Sequence, residues 1–160
     1  MWRLAFGKTK RLVSLTTITS PAALSLGCTT RPEFESRLSA LADILDKLKV
    51  DKALVPQTLP ADSVQGSLDA VEQCMLDKLP EERHQHVTSA IQVLRRIRQA
   101  RNAIQHSVAQ GGGLTARLRV LGIHDAPPNW ADAWDSIRIQ TADALTILRN
   151  ELRRFADETI

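Results

Sequence analysis

This sequence predicts an all-α fold, an antiparallel bundle of four to five helices carrying an extended N-terminal arm. Three observations predict it. Apolar residues recur every three or four positions along four separate runs, the spacing of one buried helix face. Each run opens on a capping residue or a first-turn proline. The connections between runs are short, and amphipathic helices joined in this way bury their stripes by packing antiparallel.

The arm, residues 1–29, comes first. Arg3, Lys8, Lys10 and Arg11 precede Leu12-Val13-Ser14-Leu15-Thr16-Thr17-Ile18, an order shared with export signals, and Leu24-Ser25-Leu26-Gly27-Cys28 loosely matches a lipoprotein cleavage site. Pro21 and the string of Ser and Thr interrupt the apolar run, however, and Ser25 stands where a branched apolar residue is expected. The β-branched content favours an extended arm with room for one or two short strands, or the cut end of a longer protein.

Residues 30–160 form the helical domain. Thr30 and Glu33 make a capping box with Pro32 in the first turn, and Phe34, Leu38, Leu41, Leu45 and Leu48 continue the stripe to about Val50. After Pro56 and Pro60, Asp62 or Ser63 is expected to cap a second helix bearing Val64, Leu68, Val71, Met75 and Leu79. Pro80, Glu81 and Glu82 open a third, long helix that runs to about Gln110, where Gly111-Gly112-Gly113 stops it. A short helix, Leu114 to Leu121, and a turn at Pro127-Pro128 lead to the last one. Asn129 caps it, and Trp130, Trp134, Ile137, Ala144, Leu148, Leu152 and Phe155 mark its buried face.

A chain of 160 residues, 43% hydrophobic and 24% charged with seven Gly and seven Pro, suits one domain that buries a core unaided and excludes a disordered chain. The net charge of +3 falls short of a dedicated nucleic-acid binder. Arginine is nevertheless concentrated, with Arg95, Arg96, Arg98 and Arg101 in seven consecutive residues. Cys28 and Cys74 have neither metal-ligand spacing nor a disulfide pattern and read as small core hydrophobes in a reducing compartment; no metal site and no cofactor is expected. No apolar run approaches bilayer length, so the expectation is a cytoplasmic protein without a membrane partner.

The third helix carries the candidate chemistry. Val87, Ala90, Leu94, Ile97, Arg101, Ile104 and Val108 alternate steps of three and four residues, and Arg101 alone among them is charged. A guanidinium in that seam cannot lose its proton and must reach an anion or water. His106, five residues on, lies about 140° round the helix, on a polar stripe with Arg95, Gln99 and Asn102. Arg101 and His106 meet only if the helix is distorted near Ala103, if both wrap into one cleft, or if a second copy supplies its own pair across a two-fold axis. The dimer is the favoured arrangement.

The segment Arg101-Asn102-Ala103-Ile104-Gln105-His106 resembles the motif of HEPN domains, an Arg followed by a polar residue and then a His late in a long helix of an α-helical bundle. Asn102 directly after Arg101, the His106-Ser107 pair and the helical surroundings carry the likeness, which extends in outline from Pro32 to Phe155. The resemblance implies a homodimer with facing motifs, acting as a metal-independent endoribonuclease. Arg101 would then hold the scissile phosphate, His106 would act as general acid or base, and Asn102 would orient either one. The products would be a 2′,3′-cyclic phosphate and a 5′-hydroxyl, with Arg95, Arg98 and Gln99 placed to hold the RNA. Toxin use would add an antitoxin or a nucleotidyltransferase-like partner. Catalytically silent members of the family serve as dimerisation or RNA-binding modules. The plainer reading makes Arg101 a seam charge paired with a carboxylate and His106 a solvated helix-end residue.

Other candidates read more simply. His84 and His86 point about 160° apart on a helix and so do not share a metal. His124-Asp125 lies in a turn, and the three glycines lack the Lys and Ser/Thr of a phosphate loop. Trp130 and Trp134 fit a core, and Arg149, Arg153 and Arg154 a solvated basic face.

Overall fold

Helix caps and apolar stripes place each element, and their joint product is an all-helical chain. The computed structural model describes residues 2–7, 24–56, 64–106, 113–125 and 128–158. Helices α1 (Trp2–Phe6), α2 (Arg31–Asp46), α3 (Ser67–Lys78), α4 (His84–His106), α5 (Gly113–Val120) and α6 (Trp130–Glu158) follow in order, and no strand occurs among the described residues. Single 3-10 turns occupy Lys52–Leu54 and Glu81–Arg83. No helix among the described residues is long and apolar enough to cross a membrane.

The expected capping box is formed at α2. The Glu33 amide donates to the Thr30 hydroxyl, while the Glu33 carboxylate accepts from the Thr29 and Thr30 amides at 2.9 and 3.2 Å. Those amide donors hold the Glu33 carboxyl below its ordinary range. Its contribution is therefore present above the unfolded carboxylate range and is lost as pH falls through the lowered folded value. At α6, the Asn129 side-chain oxygen accepts from the Ala131 amide at 3.1 Å, as expected of the cap.

Several boundaries differ from the sequence reading; α4 itself begins at His84, behind the 3-10 turn Glu81–Arg83, rather than at Pro80. Trp2–Phe6 is helical where an extended arm was expected, because Trp2 is buried with its ring 4.4 Å from Phe6, and Phe6 in turn stacks on Phe155 of α6. The remainder of the arm to residue 23, with its expected strands, lies outside the described residues. Helix α2 stops at Asp46 rather than near Val50, where the Lys47 amide turns back to the carbonyls of Ile44 and Leu45. Helix α3 starts at Ser67 with Gly66 as its cap, later than Asp62 or Ser63, and the Ser67 hydroxyl donates to the Leu45 carbonyl at 2.8 Å. The expected end of α4 at the glycines falls outside the described residues.

Helix α4 runs between two apolar clusters. Its first half, with Val87, Ile91 and Leu94, packs with Leu45 of α2, Val71 and Met75 of α3 and Leu148 and Leu152 of α6. Its second half, with Ile97 and Ala100, packs with Phe34 and Leu38 of α2, Leu118 of α5 and Trp134 and Ile137 of α6. The start of α4 therefore meets the ends of α2 and α6, so α4 runs antiparallel to both. Trp134 is fully buried and donates its ring N–H to the Leu26 carbonyl at 3.0 Å, which ties the segment before α2 to the head of α6. Cys28 is buried nearby, its thiol donating to the Trp130 carbonyl at 3.1 Å.

The capping box yields a direct test. Thr30→Ala is expected to lower stability by about 1 kcal/mol, read as a reduced urea midpoint with an unchanged slope.

Candidate functional site

Three of the four α4 arginines are spaced three residues apart, so Arg95, Arg98 and Arg101 advance round the helix toward α3 and α2 in turn. Each finds a carboxylate there. The Arg95 guanidinium donates to Glu72 Oε2 at 2.6 Å and to Asp69 Oδ1 at 2.5 Å, both on α3. Arg98 pairs with Asp46 at 2.7 Å and Arg101 with Asp43 at 2.8 Å, both on α2. Because α2 and α4 are antiparallel, the ascending arginines meet descending aspartates. The result is a row of ion pairs along the groove between α4 and its two neighbours.

The rungs are not equivalent. Glu72 is only 8% exposed, so its charge depends on Arg95 for compensation. Burial works against the Arg95 cation, but the hydrogen bonds and fields of Glu72 and Asp69 outweigh it and hold the guanidinium more firmly charged. Asp43 is half exposed, so its pairing with Arg101 is worth little in water. Arg98 passes so close to Gly66 that a Cβ there would lie 3.2 Å from its Nη1; glycine at the α3 cap leaves room for the guanidinium.

Arg101 also donates to the Asn102 side-chain oxygen at 3.2 Å, so two of the three motif residues touch. His106 ends α4. With α4 helical throughout, five residues separate it from Arg101, and the backbone alone places the two on different sides. Gln99 accepts from Arg117 of α5 at 3.4 Å rather than standing clear of the protein. Of the candidate residues, then, Arg95, Arg98 and Arg101 lie in the groove toward α2 and α3, whereas Gln99 faces α5.

The two early histidines each have a partner. His84 hydrogen-bonds the Leu79 carbonyl at 2.9 Å, and His86 sits 3.1 Å from Glu151, a carboxylate only 5% exposed at the end of α6. Arg83 reaches the same carboxylate at 3.8 Å and also pairs with Glu158. Among the described residues, no group of three or more His, Cys, Asp or Glu side chains could share a metal ion. Cys74 is enclosed in the core, and burial pushes its thiol up to about 11, which leaves it neutral and poorly nucleophilic at physiological pH.

Sequence reasoning missed the acidic half of the row. Asp43 and Asp46 are three apart on α2, and Asp69 and Glu72 three apart on α3, the same step as the arginines. That matching step was the available signal. Glu151 was also missed, although it falls on the apolar face of α6 beside Leu148 and Leu152.

No protein-family model matches the chain, and searches of curated proteins and of solved structures return no match.

Because Asp43 is half exposed, Asp43→Ala is expected to change unfolding free energy by less than about 1 kcal/mol. Urea denaturation at low and at physiological salt checks this, with the small loss shrinking further as salt rises.

Proposed function

We propose that this chain is a HEPN-like antiparallel bundle of four to five helices that serves as a non-catalytic dimerisation and binding module. The observation that carries this reading is the state of the arginine cluster. Of its four members, Arg95, Arg98 and Arg101 are paired with carboxylates of α2 and α3, and Arg96 alone makes no ion pair among the described residues. A guanidinium must surrender such a partner before it can take a phosphate, and for Arg95 that surrender strands the buried Glu72. Arg101 in contact with Asp43 is the seam charge paired with a carboxylate that a structural role requires.

A second reading, the metal-independent endoribonuclease, is favoured by one observation. Asp43 is half exposed and weakly held, so an RNA phosphate competes for Arg101 at little cost, with Asn102 already in contact. A second copy would then bring its own His106 opposite the pair, and an antitoxin or nucleotidyltransferase-like partner would regulate it.

Incubation of the purified protein with mixed RNA and EDTA separates the two, beside the Arg101→Ala, His106→Ala and Asp43→Ala variants. The module reading expects a dimer by light scattering and no 2′,3′-cyclic phosphate ends from any of the four proteins. Cleavage by the wild type that disappears in Arg101→Ala and His106→Ala but survives in Asp43→Ala would overturn it and establish the nuclease.

A further inference from the structure

Around the start of α4 the described residues leave part of the core unfilled. A cavity of about 230 Å³ lies there, with Leu68, Val71, Met75, Ile91 and Leu148 in its wall, all buried. Protein interiors hold few voids larger than a water molecule, because each empty volume forfeits the contacts its lining would make. Apolar walls offer water no hydrogen bonds, and an engineered apolar cavity of about 150 Å³ stays dry and accepts benzene. A space larger than that, with no polar group at its depth, suits an apolar ligand.

The rim supplies the orientation. Leu145 and Arg149, one turn apart on α6, line the cavity at its exposed edge, and Arg149 is the one charged lining residue among the described residues. Among the described residues no carboxylate lines the cavity, and Arg149 has no hydrogen bond or ion pair. An apolar sleeve with a single guanidinium at its mouth complements a molecule with an alkyl tail and one anionic head. A planar carboxylate matches the guanidinium fork in two parallel hydrogen bonds.

We propose that this cavity binds a medium-chain fatty acid, its alkyl chain among the walls formed by α2, α3, α4 and α6 and its carboxylate on Arg149. The site is separate from the Arg101 row, and it stands whichever reading of that row holds.

Calorimetric titration of the full chain with octanoate, decanoate, laurate and palmitate tests it, with dodecanol as the uncharged comparison. One laurate per chain is expected, with affinity rising from octanoate to laurate and levelling off at palmitate as the cavity fills. Arg149→Ala, a change at the exposed rim, is expected to weaken laurate about tenfold or more and leave dodecanol unchanged. Trp2 also lines the cavity, so laurate should shift tryptophan fluorescence in the wild type and not in Trp2→Phe. Absence of saturable binding, as when the chain's own apolar residues occupy the space, would overturn the proposal. So would equal laurate affinity in Arg149→Ala, or several ligands per chain with affinity still rising at palmitate.

Discussion

The structure depends on how α4 disposes of its positive charge. A helix that must sit between two apolar clusters also carries Arg95, Arg98 and Arg101, and burying any of them without an anion would cost more than the packing returns. The carboxylates of Asp69 and Glu72 on α3, and of Asp46 and Asp43 on α2, meet that demand at the groove where the helices join. The row fixes register as well as charge. Sliding α2 by one turn along α4 would leave only one of Arg98 and Arg101 opposite an aspartate while leaving the apolar stripes nearly matched. Ion pairs of this kind add more to the uniqueness of an arrangement than to its stability, and the inner Arg95–Glu72 rung has the strongest claim to do both.

Packing works on a different scale. Val93 touches both apolar clusters, so the two halves of the core meet on α4 itself. α6 mirrors this division, with Trp134 and Ile137 in one cluster and Leu148 and Leu152 in the other. α1 closes the far end through Trp2 and Phe6. The charged row lies on the α2 and α3 side, the Glu151 cluster at the α6 end. α4 therefore makes contact on the sides toward α2, α3, α5 and α6, while Gln85, Thr88, Ser89 and Gln92 leave an exposed stripe along its first half.

Much of the fold was legible because its determinants are local. The Thr30–Glu33 box, the Asn129 cap and the three-and-four stripes act within one or two turns, so the sequence displays them directly. The α3 start was displaced because Ser67 is held by the Leu45 carbonyl, a partner on another helix. The helix at Trp2–Phe6 was illegible for the same reason, since Phe155 supports it from the opposite end of the chain. At the candidate site the anomaly of Arg101 was plain, but its partner Asp43 lies 58 residues earlier and looks like any exposed helix acid. Glu151 breaks the apolar pattern of α6 as Arg101 breaks that of α4, and attention to basic residues alone passed over it.

The claim that the α4 arginines are committed to the neighbouring helices rests most heavily on the Arg95–Glu72 pair, the innermost rung. A double-mutant cycle with Arg95→Met and Glu72→Met, followed by urea denaturation, measures that commitment without reference to any ligand. The account predicts a favourable coupling of about 1.5 kcal/mol or more between the two sites. Additive effects with no coupling would contradict it, and would leave the arginine row available to an anion from outside.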